Sequence, residues 1–359
     1  MLRRWRALTS SGTDASPYLV CLLSSKHTGR QVNSQGPGLP PVLRRPDSDL
    51  IFQTSDGALP STTSRELPIF DRLLRALHIL QPDLDPSSLS VITTAGCLRR
   101  IAAFLSHRPM TERLDIEFRH GTLFVGRWES DELYRLHVGY GKQFEKAVRR
   151  YSPGLEATVS SHIVARYEMG GLRMGVQVEV DAFECKCHSH SKVLSNREAP
   201  RANKRHSGGR FDALADIVDD DDDDAGEAED GILRVGTLLP LSCAVEIKTR
   251  RRKAAAEYSY IPQLYFQQIP RVFVATRDNA KFPKHSMEIR DERKELRRWE
   301  AENQVLLGRL VTLLKRLRSE AERRAKSDGL CKMALVLKGG PGGTAVLYTR
   351  EGDDLISDD

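Results

Sequence analysis

Two short segments alternate charged residues with branched apolar residues, and this alternation constrains the fold more than any other feature. The first is VEVD at residues 178–181, and the second is VEIK at residues 245–248. Side chains at positions i and i+2 of a β-strand share a face, so the charged residues line one face and the apolar residues face a core. The sequence therefore predicts two strands that bring Glu179, Asp181 and Glu246 to one patch.

Periodicity along the rest of the chain predicts a mixture of helices and strands. Helices are expected over Leu67–Leu80, Leu98–Leu105, Asp131–Val148 and Met287–Lys326. Further strands are expected over Leu114–Phe118, Leu123–Val125, Ala157–Glu168, Arg173–Cys185, Leu241–Thr249, Arg271–Thr276, Cys331–Leu337 and Thr344–Tyr348. The last helix carries a heptad stripe of leucines. Such a stripe suits either pairing with another chain or packing across the sheet of its own domain, and we favour the second.

Composition divides the chain into an irregular basic region over residues 1–65, one domain over residues 66–350 and an acidic tail over residues 351–359. The arginines of residues 1–46 fit either a disordered tail, which we favour, or a mitochondrial transit peptide. Residues 188–231 are first basic and then acidic. Because like charges repel, we expect a disordered loop here, either a solvated insertion or an interaction segment.

The overall composition is that of a soluble protein with a mild preference for polyanions. Hydrophobic residues make up 40% of the 359 residues and charged residues 29%, and the net charge is +6. No apolar run is long enough to cross a membrane, so we expect no membrane partner. The six cysteines are scattered, which favours reduced thiols. The positive charge gives weak support for a nucleic-acid partner.

Converging carboxylates point to a hard divalent cation. Glu145 ends a third acidic segment, GKQFE at residues 141–145. Carboxylates that meet without a counter-ion repel each other and are poorly buried. Mg²⁺ and Mn²⁺ prefer oxygen ligands, and two such ions promote phosphodiester hydrolysis. Lys248, which shares a strand face with Glu246, is then placed to position water or to offset charge on the reacting phosphate.

At these residues the sequence resembles the decapping exonuclease family. The matching segments are GKQFE at 141–145, EVD at 179–181, VEIKT at 245–249, the pair Gln263 and Pro270 followed by an apolar strand to Arg277, and the strands around GTL at 121–123. Val178 departs from the family, which has glycine there. The chain also resembles a group of fungal members of this family that are often mislabelled as geranylgeranyl pyrophosphate synthetases, although it lacks a spaced aspartate motif on a helix.

The resemblance covers residues 66–350 and implies an α/β fold, a restriction-endonuclease-like mixed β-sheet flanked by helices. It implies Mg²⁺ or Mn²⁺ bound by Glu145, Glu179, Asp181 and Glu246, and catalytic roles for Lys248, Gln263 and Glu179. It implies removal of incomplete or NAD-type caps, pyrophosphohydrolysis and 5′–3′ RNA degradation. The implied partners are RNA 5′ ends and a 5′–3′ exoribonuclease.

One departure from the family pattern concerns the residue that binds the substrate phosphate. The family has an arginine in a segment that here reads TTAG at residues 93–96, so Ala95 replaces it. Arg99 or Arg100 is expected to substitute from the next helical turn. Arg250 and Arg277 are further candidates for substrate binding. Arg250 lies in a basic run over residues 248–253, which is either a solvated surface or a track for single-stranded RNA.

Two functions therefore stay open. The first is a divalent-metal-dependent phosphodiesterase that acts on RNA 5′ ends. The second is a catalytically weakened RNA-binding or scaffold protein on the same fold, which the loss of the arginine at Ala95 and the charged insertion favour. A nuclear or cytoplasmic location is expected in either case, and a mitochondrial one is the lesser alternative.

Overall fold

The computed structural model describes residues 6–7, 22–28, 31–35, 41–53, 69–128, 140–151, 158, 160–184, 232–233, 241–252, 260–325 and 330–356. The helices are α1 (Asp71–Leu80), α2 (Ala95–Leu105), α3 (Tyr140–Val148), α4 (Ile261–Gln267), α5 (Arg293–Glu302) and α6 (Gln304–Arg324). The strands are β1 (Arg6–Ala7), β2 (Leu22–Thr28), β3 (Gln31–Gln35), β4 (Val42–Leu43), β5 (Leu50–Ile51), β6 (Val91–Thr94), β7 (Thr111–Arg119), β8 (Thr122–Arg127), β9 (Arg149–Arg150), β10 (Ser160–Met169), β11 (Leu172–Glu179), β12 (Ala182–Phe183), β13 (Ile232–Leu233), β14 (Ala244–Arg251), β15 (Arg271–Arg277), β16 (Lys281–Phe282), β17 (Met287–Asp291), β18 (Cys331–Lys338) and β19 (Thr344–Thr349).

Within these residues the strands form two main sheets. The larger sheet has the order β13-β3-β2-β10-β11-β6-β8-β7-β18-β19, with β1 beside β10. It is mixed, because β6 runs parallel to both β8 and β11 while β10 and β11 are antiparallel. The smaller sheet has the order β17-β15-β14-β12-β4-β9, and β16 pairs with β5. The predicted α/β fold with mixed strand directions and flanking helices is confirmed, with the strands divided between two sheets.

The middle strands of the larger sheet are buried on both faces, whereas its edge strand β19 is largely exposed. Successive residues of β8 alternate between the two sides, as the two-residue period of a strand requires: Leu123 and Val125 face α2 and α6, and Phe124 faces α1. The leucine stripe of α6 packs on the first face through buried residues such as Leu310 and Leu317. The prediction that this stripe packs within its own domain is therefore confirmed.

The smaller sheet carries the helices that matter for the site. On one face Phe144 of α3 stacks on Phe273 of β15, with ring centroids 5.9 Å apart. Val245 and Ile247 of β14 lie in the same cluster, so the prediction that they face a core is confirmed. On the other face Leu264 of α4 packs on β15. Helix α4 starts with a proline in its first turn and ends at Gln268, which has a left-handed φ of 58°.

A network of buried charges joins β7 to the C-terminal segment. Glu117 is fully buried and lies 3.1 Å from Arg119 and 3.6 Å from Arg350. The oxygen of Glu117 that faces Arg350, Oε2, also accepts a hydrogen bond from the backbone N–H of Leu355 at 2.7 Å. Leu355 and Ile356 are themselves buried against α1. Part of the stretch predicted to be an acidic tail is therefore packed against the domain.

The single helix predicted over Met287–Lys326 is wrong in two places. Residues Met287–Asp291 form β17, which pairs antiparallel with β15. These five residues have helix-forming neighbours, but pairing with a distant strand overrides local preference. The helix is then interrupted at Asn303, whose side-chain amide donates to the carbonyl of Trp299 at 2.8 Å.

Other differences concern strands whose partners are distant in sequence. The region predicted to be irregular over residues 1–65 contributes β1 to β5, of which β2 pairs with β10 and β4 with β12. The strand predicted over Arg173–Cys185 is divided into β11 and β12, which belong to different sheets. The insertion predicted at residues 188–231 lies outside the described residues, so its proposed disorder stays a prediction.

None of the helices in the described part of the chain combines the length and apolar character that crossing a bilayer requires.

Candidate active site

The site begins where β12 separates from β14. The two strands pair through Ala182 with Val245 and Phe183 with Ala244, and pairing ends at Asp181. The ladder therefore leaves the backbone N–H of Ile247 without a backbone partner from β12. The carboxylate of Asp181 accepts this hydrogen bond through Oδ2 at 2.8 Å. The separation of the strands thus fixes Asp181 against β14, next to Glu246.

Glu246 is almost fully buried and receives several donors. Its side chain is on the face predicted for it, and Lys248 two residues later donates to its Oε1. Gln263 donates to the same oxygen at 2.6 Å, and Gln267 donates to Oε2 at 3.1 Å. The predicted meeting of Glu246, Lys248 and Gln263 is present in the structure. Gln267 was not predicted, although its place one turn after Gln263 on α4 was a signal for it.

Helix α3 brings Glu145 to the same place. A Cβ atom on Gly141 would lie 3.2 Å from the hydroxyl of Thr249, so glycine at this position lets α3 approach β14 closely. Glu145 follows one turn later and lies 3.4 Å from both Lys142 and Arg149. Arg149 also donates to Oδ1 of Asp181 at 2.9 Å. Arg149 was not among the predicted site residues, and no motif singled it out.

Glu179 reaches the site by a different route from the predicted one. The prediction that Glu179 and Asp181 share a strand face is wrong, because β11 ends at Glu179 and the chain crosses to β12 in the other sheet. Glu179 is exposed. It nevertheless acts on Arg149, whose pKa it helps to raise, so its charge lies near that of the other carboxylates.

The two candidate arginines of α2 are separated by the structure. Thr94 caps the helix by accepting from the backbone N–H of Cys97 at 3.1 Å, and Ala95 is the first helical residue. Arg99, one turn after Ala95, donates to Oε1 of Gln263 at 3.2 Å. Arg100 instead forms an ion pair with Glu112 on β7. Arg99 is therefore joined to the site through Gln263, and Arg100 is turned away from it.

The other two candidate arginines also diverge. Arg250 lies on the strand face of Glu246 and Lys248, and its Nε donates to Thr276 at 3.0 Å. Arg277 is the next residue along β15 after Thr276 and so faces the opposite side of the sheet. There its guanidinium lies 4.9 Å from the ring centre of Tyr140. The structure therefore brings Arg250, and not Arg277, to the side of Glu246.

Burial and charge shift two pKa values in the site. Burial raises the pKa of Asp181 well above its ordinary value, the nearby Glu246 adds to this rise, and Arg149 opposes it. Burial alone would lower the pKa of Lys248, but the attraction of Glu246 and Asp181 outweighs it and the pKa of Lys248 is raised. Lys248 is therefore protonated at neutral pH, so it acts as a cation and a donor and not as a base.

The donor set suits a hard divalent cation, because all candidate ligands are carboxylate oxygens. Among the residues that the structure describes, however, no three acidic, histidine or cysteine side chains lie close enough together to form a metal-binding site. Lys142 contacts Glu145, Lys248 contacts Glu246, and Arg149 contacts both Glu145 and Asp181. A divalent metal ion fits the chemistry of the cluster, and the three cations contact the carboxylates that would hold it.

The fold is shared with solved decapping exonucleases. Rai1 of Scheffersomyces stipitis, in complex with (3′-NADP)⁺ and calcium ion, is 15% identical, with a TM-score of 0.60 over 96% of this chain and 93% of that one. Rai1 of S. pombe is 15% identical, with a TM-score of 0.58 over 94% of each chain. Rai1 of Candida albicans, in complex with pU5-Mn²⁺, is 13% identical, with a TM-score of 0.56 over 96% of this chain and 91% of that one. The predicted likeness to the decapping exonuclease family is confirmed for the fold.

Residues 60–335 match a family described as a domain of unknown function, DUF8563, and the chain belongs to that family. No curated protein sequence matches the chain significantly.

Proposed function

We propose that this protein is a divalent-metal-dependent phosphodiesterase that acts on the 5′ ends of RNA. The observation that carries the proposal is the meeting of Glu145, Asp181, Glu246, Lys248 and Gln263 at the point where β12 leaves β14. The ligands of two fold neighbours support it, since S. stipitis Rai1 is in complex with (3′-NADP)⁺ and calcium ion and C. albicans Rai1 with pU5-Mn²⁺.

In this proposal Glu145, Glu179, Asp181 and Glu246 hold Mg²⁺ or Mn²⁺, and we propose two ions. Ions of this kind, when bound, orient a water molecule and stabilise the leaving oxygen in phosphodiester hydrolysis. Asp181 and Glu246 are 9% and 3% exposed, so water competes little with a metal ion for their oxygens.

The remaining residues bind and orient the substrate. Lys248, protonated beside Glu246, offsets charge on the reacting phosphate or holds the attacking water. Gln263 uses its amide nitrogen on Glu246 and its amide oxygen on Arg99, so it positions both. Arg99 takes the role of the arginine that Ala95 replaces, and Arg250 lies along the path of the RNA backbone. The proposal leaves out Arg100 and Arg277, because both are directed elsewhere.

The proposed substrates are RNAs with incomplete or NAD-type caps or with a 5′-triphosphate, and the proposed reactions are cap removal, pyrophosphohydrolysis and 5′–3′ exonucleolytic degradation. A 5′–3′ exoribonuclease is the proposed protein partner. A nuclear or cytoplasmic location agrees with such substrates.

The test is release of product from 5′-triphosphate RNA and NAD-capped RNA with Mn²⁺ or Mg²⁺. Glu246→Gln keeps the size of the side chain and removes the charge, so we expect it to abolish metal-dependent cleavage. Glu288→Gln is the matched control, since Glu288 is an exposed acid at the far edge of the same sheet. Cleavage that survives Glu246→Gln would refute the assignment of the site.

A second candidate is an RNA-binding or scaffold protein on the same fold with weakened catalysis. Two observations favour this second candidate. Ala95 stands where the decapping exonuclease family has arginine. The carboxylates of the site are also already paired with cations of the protein itself. Mn²⁺ binding separates the two candidates. A phosphodiesterase binds Mn²⁺ and loses that binding in Asp181→Ala, whereas a scaffold is indifferent to both the ion and the substitution.

A further inference from the structure

The guanidinium of Arg149 lies where the carboxylates of the candidate site converge. Its Nη2 is 2.9 Å from Oδ1 of Asp181 and 3.4 Å from Oε2 of Glu145. Asp181 directly precedes β12 and Glu145 lies in the helix α3, so the arginine bridges two separate segments of the chain. The other oxygen of Asp181 accepts from the backbone of Ile247. Arg149 therefore occupies the side of Asp181 that faces Glu145.

The surrounding charges favour a cation at this position. Burial opposes the charge of Arg149, but Asp181 and Glu145 outweigh it, with a smaller contribution from Glu179, and the pKa of Arg149 is raised. Two of the four proposed metal ligands thus contact one guanidinium, and a third, Glu179, acts on it only through its charge. A divalent cation bound by the same carboxylates would be repelled by the positive charge of Arg149.

The contacts of Arg149 with the two acids are those of a replaceable counter-ion, and its side chain also hydrogen-bonds Tyr151. Arginine usually binds a carboxylate through two parallel hydrogen bonds. Here one nitrogen, Nη2, serves both acids, and the buried Nε has no hydrogen-bond partner among the described residues. The residue lies in the two-residue strand β9, at the edge of the smaller sheet.

We propose that Arg149 is a built-in counter-ion of the candidate site, which a divalent cation must displace and which therefore sets the affinity for metal. The inference rests on the proposed metal site and adds to it a residue that no motif assigned. The opposing expectation is that Arg149 holds Asp181 and Glu145 in position for metal, in which case its removal weakens binding. The two expectations have opposite signs.

The experiment is calorimetric titration of the full-length protein with Mn²⁺, comparing wild type with Arg149→Gln. Arg150→Gln is the matched control, because Arg150 is the next residue of the same strand and is exposed. We expect Arg149→Gln to bind Mn²⁺ at least about tenfold more tightly, since even a fully water-screened repulsion between a single and a double charge a few ångströms apart corresponds to roughly that factor. Arg150→Gln should bind as wild type does.

Arg149→Lys keeps the positive charge on a shorter side chain. It provides a second test in case the Arg149→Gln variant does not fold. We expect it to bind Mn²⁺ with an affinity between those of wild type and Arg149→Gln. Equal or weaker binding in folded Arg149→Gln would overturn the role of Arg149 while wild-type binding still supported the metal site. Binding in Arg149→Gln but not in wild type would support the counter-ion. Absence of binding in every variant would overturn the proposed function and this inference together.

Discussion

Replacing Arg99 with alanine tests whether α2 still supplies a phosphate-binding cation despite the alanine at position 95. Arg99 lies one turn after Ala95 and donates to the neutral amide oxygen of Gln263 at 3.2 Å. Gln263 is neutral, so this contact does not neutralise the charge of Arg99. We therefore expect this guanidinium to bind a phosphate at the 5′ end of the RNA.

The size of the effect follows from the type of contact. A hydrogen bond between a charged donor and phosphate contributes about 1.5–3 kcal/mol, which corresponds to a roughly 10- to 150-fold change in affinity. The contact exists only for RNA that carries a 5′-phosphate. The expected result is therefore a loss of preference for 5′-phosphorylated over 5′-hydroxyl RNA in Arg99→Ala, with little change in the binding of 5′-hydroxyl RNA.

The assay is fluorescence anisotropy with two RNAs of one sequence, one with a 5′-phosphate and one with a 5′-hydroxyl. Chelation of divalent ions with EDTA prevents turnover during the measurement and leaves the contact between Glu246 and Gln263 unchanged. Arg100→Ala is the control, because Arg100 adjoins Arg99 in sequence but pairs with Glu112 on β7. The reasoning is refuted if Arg99→Ala keeps the preference for phosphate, or if Arg100→Ala loses it to the same extent. The readout does not require catalysis, so it applies to the phosphodiesterase and the scaffold alike.

Three further predictions concern stability and metal binding. Glu117→Ala removes the nearest buried carboxylate from Arg119 and Arg350, which keep only longer ion pairs with Asp354 and Asp115, so we expect the free energy of unfolding to fall by about 3 kcal/mol in urea titrations, and hydrogen exchange at residues 350–356 to accelerate. Phe144→Ala removes a fully buried ring from the core of the smaller sheet, and we expect a loss of about 3–5 kcal/mol by the same titration; a loss below about 1 kcal/mol would contradict the packing. Mn²⁺ affinity should fall with decreasing pH, starting above the range of an ordinary aspartate, because Asp181 has a raised pKa and must lose its proton to bind metal. Calorimetry in buffers of different ionisation enthalpy would show the proton release, and an affinity independent of pH would contradict it.

Residues whose roles depend on strand alternation could be predicted from the sequence. Glu246 and Lys248 share a strand face in the structure, and Val245 and Ile247 face the core, because a strand has a two-residue period wherever it lies. The residue Gln263 was likewise predictable as part of a motif. These local regularities determine most of the candidate site.

Features that depend on long-range pairing could not be predicted in the same way. Glu179 and Asp181 belong to a continuous alternating segment, yet the chain changes sheets between them, because β11 pairs with β10 and β12 pairs with β14. The strand Met287–Asp291 has a helical composition and is a strand only because β15 lies beside it. Arg149 carries no pattern at all, since its position depends on where α3 ends relative to β12.

The two departures from the expected site concern positive charge, and together they separate the two candidate functions. Ala95 removes a cation from the start of α2, and Arg99 carries one a turn later, joined through Gln263 to Glu246. Arg149 adds a cation on the opposite side, between Asp181 and Glu145. A phosphodiesterase needs Arg99 to stay in place, because Arg99 binds substrate. It also needs Arg149 to move away, because Arg149 competes with the metal ion. If Arg149→Gln binds Mn²⁺ more tightly and Arg99→Ala loses the 5′-phosphate preference, the site works as a hydrolase whose metal affinity is limited by its own arginine. If the phosphate preference depends on Arg99 but no variant binds Mn²⁺, the same residues define an RNA 5′-end binding site in which Arg149 has taken over the role of the metal ion permanently.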